Sequence, residues 1–297
     1  MTALFADRLI EGVRAKSTPL CVGLDPLPER IPRLFGDVNE DTAVLLKFGT
    51  SIIDIAKNHA AVLKPQLGLF EQFGETGYAI ARMLTEYAQA QGMCVILDAK
   101  RGDIGTTAEG YARATLGPKP GFNADAVTVN PYMGKDTLEP FITTAEKTAK
   151  GVVVLVRTSN PGAVDVQDLQ VGGEPVWRRL AEMLASETPR LRGANNWSGL
   201  MIVAGATYPT EARSLREAMP DALFLVPGYG AQGASAQDAV AGFIAGKQGL
   251  EGGVVSSSRA VLYPPAAQAA KTMDEWRAAI ADGMATAAAE LRAACTR

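Results

Sequence analysis

Eight short apolar runs, separated by longer amphipathic stretches within 297 residues, predict an α/β fold: a closed TIM-type (β/α)8 barrel forming a single domain over residues 1–297. The runs lie at 19–24, 61–64, 93–97, 124–129, 151–156, 200–204, 222–226 and 253–255. They are continuous rather than alternating, as expected of parallel strands covered on both faces. The segments 42–56, 76–90, 137–148, 175–185, 210–218 and 236–244 carry apolar residues at helical spacing, so the order reads strand, helix, strand throughout. An open doubly wound sheet is the other architecture this alternation permits. Eight strand-helix units favour closure, and a barrel of roughly 250 residues is an ordinary single domain.

Such a barrel presents catalytic groups at the C-terminal ends of its strands, so the polar residue closing each run is informative. Asp25 closes the first run and Lys64 the second. The third delivers Asp98-Ala-Lys100-Arg-Gly-Asp103-Ile104 and, just beyond, Thr107. Arg157-Thr158-Ser159-Asn160 follows the fifth, opening a polar stretch over 158–175 that suits either a functional lid or a surface insertion. Pro227-Gly228-Tyr229-Gly230-Ala-Gln232-Gly follows the seventh, and Ser256-Ser257-Ser258-Arg259 the eighth.

Composition narrows the function. Apolar residues make up 47% and charged residues 21%, the profile of a soluble protein with a large core. The formal net charge of −3 and the absence of a Lys/Arg block argue against nucleic acid or a membrane surface as partner. No apolar run approaches the ~18 residues that span a bilayer. The N-terminus lacks the pattern of a secretory signal. Three widely spaced cysteines fit reduced thiols, so a cytoplasmic location is expected. His59, the sole histidine, sits at a helix end away from the strand-end residues, and no Cys/His spacing suggests a metal site.

The cluster after the third run is the unusual feature. Strand side chains alternate, so Asp98 and Lys100 project to one side with Ala99 opposed and Asp103 further round the loop. A lysine flanked by carboxylates stays protonated, because each opposite charge favours the charged form. It is then either a proton donor or a member of a stabilising ion-pair network.

The segment Asp98-Ala-Lys100-Arg-Gly-Asp103-Ile104 with Thr107 resembles the Asp-x-Lys-x-x-Asp-Ile-x-x-Thr signature of the orotidine 5'-phosphate decarboxylases, especially the longer bacterial subgroup typified by the mycobacterial enzymes. The resemblance extends to the other strand ends, from about Pro19 to Tyr263. It implies release of CO2 from orotidylate (OMP) to give uridylate (UMP) without a cofactor or metal, with Lys100, Asp98, Asp103 and Lys64 as catalytic residues. It assigns Asp25 to a ribose hydroxyl and Ser159, or else Thr158, to the pyrimidine. Pro227, Gly228, Gly230, Gln232, Ser258 and Arg259 fall to the phosphate. It further implies a homodimer with shared active sites, Asp103 and Thr107 reaching into the partner's site. A magnesium-dependent sugar-phosphate lyase of the same superfamily is the alternative, and Lys64 argues against it, since those relatives place an acidic metal ligand at that strand end.

Overall fold

The computed structural model describes residues 3–230 and 232–296. Eight parallel strands close into a barrel: β1 (Leu20–Leu24), β2 (Val62–Pro65), β3 (Cys94–Arg101), β4 (Ala126–Val129), β5 (Gly151–Arg157), β6 (Ser198–Ala204), β7 (Ala222–Val226) and β8 (Gly253–Ser257). Each pairs with its sequence neighbours, and β1 closes the ring against β8 with Cys21 opposite Ser256. All eight expected strands are present. β3 runs four residues further than its apolar run, because its register slips between Leu97 and Arg101 and carries the charged segment into the rim.

The main helices are α1 (Phe5–Lys16), α2 (Ala43–His59), α3 (Gly74–Ala90), α4 (Gly105–Leu116), α5 (Glu139–Thr148), α6 (Val176–Ala185), α7 (Pro209–Ala218) and α8 (Met273–Cys295). Their apolar faces pack on the outer surface of the barrel, as in Ile52, Ile53 and Ala56 of α2 and Ala81, Leu84 and Ala88 of α3. Burying each isoleucine or leucine of these faces contributes about 1.5–3 kcal/mol, so the helical shell stabilises the barrel. α1 instead packs with the inward-facing side chains of the barrel, its Phe5, Leu9 and Ile10 clustering with Cys21, Val62, Ile96 and Val153.

Two helical expectations change. Residues 236–244 form one turn, Ala236–Ala239, followed by a hairpin of Ile244–Gly246 with Gly249–Glu251. The chain turns at Gly242, where a Cβ would lie 2.7 Å from the Phe224 ring and 2.9 Å from the Ala212 carbonyl oxygen. Conversely, α4 is a full helix that the apolar pattern does not announce. Its sequence carries two glycines and three threonines, and only Ala108, Ala112, Thr115 and Leu116 are buried.

Candidate active site

The strand ends converge on a cavity of about 420 Å³, within the ordinary range for small-ligand sites. Asp25, Lys64, Asp98, Lys100, Ser159, Pro227, Gly228, Gln232, Ser258 and Arg259 all line it. Leu155, Val203 and Leu225, pointing inward from β5, β6 and β7, give it an apolar wall. The ends of β1, β2 and β3 supply the acids and lysines, β4 adds the Thr128 hydroxyl, and the loops after β5, β7 and β8 supply neutral groups and one arginine.

Asp98 is the hub of the charged sector. Only 6% exposed, its carboxylate accepts hydrogen bonds from Lys100 Nζ (2.6 Å), Lys64 Nζ (2.8 Å), Thr128 Oγ1 (2.9 Å) and Gln66 Nε2 (3.0 Å). Burial by itself raises the Asp98 carboxyl, but the Lys64 and Lys100 ammonium groups outweigh it and hold the group below the usual carboxylate range. Burial likewise opposes charge on Lys64, yet Asp98 and Asp25 keep its ammonium above the ordinary lysine value. Asp25 Oδ1 lies 4.0 Å from Lys64 Nζ and is buried with no hydrogen-bond partner among the described residues. A buried unpaired carboxylate oxygen is costly, so this atom is a ready acceptor for a ligand hydroxyl.

Lys100 reaches the cavity through an irregular backbone. Its φ is +48°, a left-handed conformation that costs a non-glycine residue about 1–3 kcal/mol and that concentrates at functional sites. The strain is held by Thr128, whose hydroxyl accepts from the Lys100 backbone N–H (2.9 Å) while donating to Asp98. Asp98 and Lys100 do share a side, as alternation predicts, but a slipped register delivers them rather than a regular strand. The Lys100 side chain is 47% exposed, its ammonium paired on one flank and open on the other.

The lysine is not flanked by two carboxylates of its own chain. Asp103 lies outside the cavity and accepts from the Ile104 backbone N–H (2.8 Å), and among the described residues Lys100 pairs with Asp98 alone. Thr107 sits exposed on α4, also away from the cavity. The cause is the loop: after Arg101 the chain leaves the sheet and starts α4 within four residues, so both side chains swing off the barrel mouth.

On the opposite sector, Gly228 has φ +101° and packs between Ser159 and Gln232, where a Cβ would lie 3.1 Å from Ser159 Cβ. A side chain there would fill the space between the fifth and seventh strand ends. Gly23 meets a similar demand in β1, since Ser258 Oγ occupies the position its Cβ would take. Gly230 (φ +70°) turns away from the cavity instead.

Both Thr158 and Ser159 line the cavity. The Thr158 hydroxyl is already engaged, donating to Asn160 Oδ1 (2.7 Å) and accepting from Gln167 Nε2 (2.8 Å). Nothing among the described residues hydrogen-bonds the Ser159 hydroxyl. The segment that follows is structured, with a helical turn at Val164–Gln167 and a hairpin of Gln170–Val171 with Glu174–Pro175. Buried Arg157 anchors it, stacking 3.6 Å from the Tyr208 ring centroid and pairing with Asp168 (3.0 Å).

Sequence reasoning did not single out Gln66, Thr128 or Tyr229 as site residues. Gln66 follows Lys64 by two positions, and Thr128 is a lone polar residue inside an apolar strand, which is the signal that could have marked it. No group of three or more His, Cys, Asp or Glu side chains among the described residues has metal-site geometry. The carboxylates in the cavity are instead bridged by Lys64.

Fold and site together define a (β/α)8 barrel that sets a neutral, alternating array of acids and lysines against a glycine turn and an arginine. The family model for the orotidine 5'-phosphate decarboxylase / HUMPS family matches residues 18–273, and the chain belongs to that family. It is 39% identical over 269 residues to an orotidine 5'-phosphate decarboxylase of Rhodopirellula baltica, covering 87% of this chain and 88% of that one. To the Deinococcus radiodurans protein of the same name it is 41% identical, covering 89% and 90%. Among solved structures it resembles a putative orotidine 5'-phosphate decarboxylase from Streptomyces avermitilis, with TM-score 0.79, 32% identity and coverage of 100% of this chain and 97% of that one. A putative orotidine-monophosphate-decarboxylase from Toxoplasma gondii gives TM-score 0.80, 29% identity and 99% coverage of both chains.

Proposed function

We propose that this chain, a single barrel domain, decarboxylates orotidylate to uridylate and CO2 without a cofactor. The observation that carries the reading is the Lys64–Asp98–Lys100 array at one side of a cavity whose other side offers Ser159, Gly228, Gln232 and Arg259. Breaking the bond from ring carbon 6 to the carboxylate leaves the electron pair on that carbon, in an in-plane orbital the ring cannot delocalise. The open flank of the Lys100 ammonium is placed to stabilise that pair and then to give it a proton. Because Asp98 holds the ammonium in position beforehand, little reorganisation is needed as charge develops, the condition under which electrostatic stabilisation is largest.

In this reading the unpaired Asp25 oxygen accepts from the ribose, the free Ser159 hydroxyl reads the pyrimidine, and Gln232, the Gly228 turn, Ser258 and Arg259 hold the phosphate. The magnesium-dependent sugar-phosphate lyase has no observation in its favour. Lys64 occupies the space between Asp25 and Asp98, where a cation would need those carboxylates.

The reading includes a homodimer with composite sites. Asp103 and Thr107 face away from their own cavity, beside an exposed apolar surface of Ile104 (61%), Tyr132 (85%) and Met133. The β3 and β4 loops meet there, a Cβ on Gly102 lying 3.6 Å from Met133 Cε. A second copy docking on this face would cover the apolar residues and receive the two polar ones. Mixing Lys100→Ala with Asp103→Ala protein should then restore activity through hybrid dimers bearing one intact site, and no recovery would remove the shared site. The free, buried thiols are in keeping with a cytoplasmic protein. No helix among the described residues is long and apolar enough to cross a membrane.

The central test is loss of orotidylate absorbance in EDTA-treated buffer, which should proceed with the wild-type chain. Lys100→Ala should abolish it while still binding UMP, and normal turnover by that variant would refute the role given to the lysine.

A further inference from the structure

The turn that lines one side of the cavity is soft in itself. Gly228 (φ +101°) and Gly230 (φ +70°) flank Tyr229, and glycines in such conformations leave the backbone permissive. The loop closes on itself through Gly230 N–H to the Ala234 carbonyl (3.1 Å) and Gly233 N–H to the Gly230 carbonyl (2.8 Å). Those bonds shape the turn, and its first residue is tied to the barrel through the Pro227 carbonyl, which accepts from Ala206 N–H (2.8 Å), while Tyr229 is the side chain that links the turn to the C-terminal helix. Between Gly228 and Gly230 the only side chain is Tyr229.

That side chain points away from the turn towards the C-terminal helix, and its hydroxyl donates to the Glu290 carboxylate. Burial and the neighbouring Glu290 charge hold the phenol well above its ordinary pKa, so the tyrosine is the donor and the glutamate the acceptor. Glu290 is a fixed point. It belongs to α8, whose start is secured by a capping box between Thr272 and Glu275. Its Trp276 is fully buried against Phe35, 4.8 Å between ring centroids, and Ile280, Met284 and Leu291 are fully buried. The match to the family model ends at residue 273, so Glu290 lies outside the matched barrel while touching its seventh loop.

We infer that Tyr229 and Glu290 form a positioning pair through which the C-terminal helix sets the orientation of the 227–230 turn, and with it the grip of the site on the phosphate of its ligand. The inference rests on the orotidylate reading above. A pair that only staples α8 to the barrel would change stability alone. A pair that positions the turn changes affinity for ligands that carry a phosphate and spares those that do not.

The experiment measures dissociation constants for UMP and for uridine by calorimetry, with kcat and KM for orotidylate and the melting temperature of each variant. Tyr229→Phe keeps the ring and removes the donor, Glu290→Ala removes the acceptor, and Glu290→Gln keeps an acceptor oxygen. Tyr229→Phe and Glu290→Ala should each weaken UMP roughly tenfold, the scale of one hydrogen bond to a charged group, and raise KM to match. Uridine affinity should stay at the wild-type value, kcat should change far less than KM, and Glu290→Gln should restore most of the UMP affinity. Combining Tyr229→Phe with Glu290→Ala should add nothing to either alone. Unchanged UMP affinity in Tyr229→Phe overturns the inference, and so does equal weakening of UMP and uridine. If the wild-type chain neither binds UMP nor consumes orotidylate, the functional reading fails and takes the inference with it.

Discussion

Replacing Thr128 with valine isolates the device that holds Lys100 in place. The substitution keeps the β-branched shape suited to the middle of β4 and removes one hydroxyl. That hydroxyl accepts from the Lys100 backbone N–H at 2.9 Å and donates to Asp98 Oδ1 at 2.9 Å. A neutral hydrogen bond contributes about 0.5–1.5 kcal/mol and one to a charged group about 1.5–3 kcal/mol, so the native state should lose roughly 2–4 kcal/mol. Part of that loss falls on catalysis, because the Lys100 backbone at φ +48° then has no partner to hold its strain. Returning it to an ordinary conformation would move the ammonium away from Asp98. A drop of about 10- to 100-fold in kcat is expected, the scale for a catalytic group displaced by about an ångström. KM should change little, since Gln232 and Arg259 lie in the other sector, and Thr128→Ser should recover most of the rate. Steady-state turnover of orotidylate and urea denaturation supply both numbers. Wild-type kcat in Thr128→Val would show that Lys100 keeps its position without the threonine, and the argument from backbone strain would fall.

Other expectations follow from the same geometry. Arg259→Ala should raise KM and lower kcat/KM for orotidylate, and an unchanged KM would remove Arg259 from the phosphate site. Burial pushes the Cys21 and Cys94 thiols up to about 12 and Cys295 to about 11, so the native protein at pH 8 should leave a thiol reagent unreacted while three thiols titrate in denaturant. Fast labelling of the folded chain would contradict that packing. Burial lowers Lys150 to about 8, with Arg8 adding to the effect and Asp125 opposing it. The folded chain therefore releases this proton near pH 8, whereas the unfolded chain keeps it until above pH 10. Over that window the unfolded state binds more protons, so the residue's contribution to stability grows as pH rises. The stability gap between wild type and Lys150→Met should shift in favour of wild type from pH 7.5 to 9.5, and a constant gap would refute the assignment.

The barrel was legible because each strand is buried on both faces, and that demand writes an unbroken apolar run into the sequence wherever a strand falls. Asp25, Lys64 and Asp98 were legible for the converse reason: a charge at the end of such a run has nowhere to go except the mouth. What did not show was anything set by distant partners. Thr128 looks like one more β-branched strand residue until its hydroxyl is seen between Lys100 and Asp98. Asp103 was expected beside Lys100, but the turn into α4 takes it elsewhere, and a one-dimensional spacing does not report the direction of a loop. The helix expected over 236–244 gave way to a hairpin because packing of Gly242 against Phe224 overrode local periodicity. Tyr229 and Glu290, 61 positions apart, carry no shared pattern at all.

The alternation of Asp25, Lys64, Asp98 and Lys100 has a consequence for how an anion finds its way in. Two negative and two positive side chains cancel, so from beyond a Debye length of roughly 8–10 Å that half of the mouth exerts almost no pull. The protein as a whole, at −3, mildly repels a nucleotide. The one uncompensated cation on the cavity wall is Arg259, which makes no ion pair among the described residues. On the orotidylate reading, an approaching nucleotide is drawn by its phosphate end and turned before it arrives, so that its ring comes last to the lysine whose field acts only at contact.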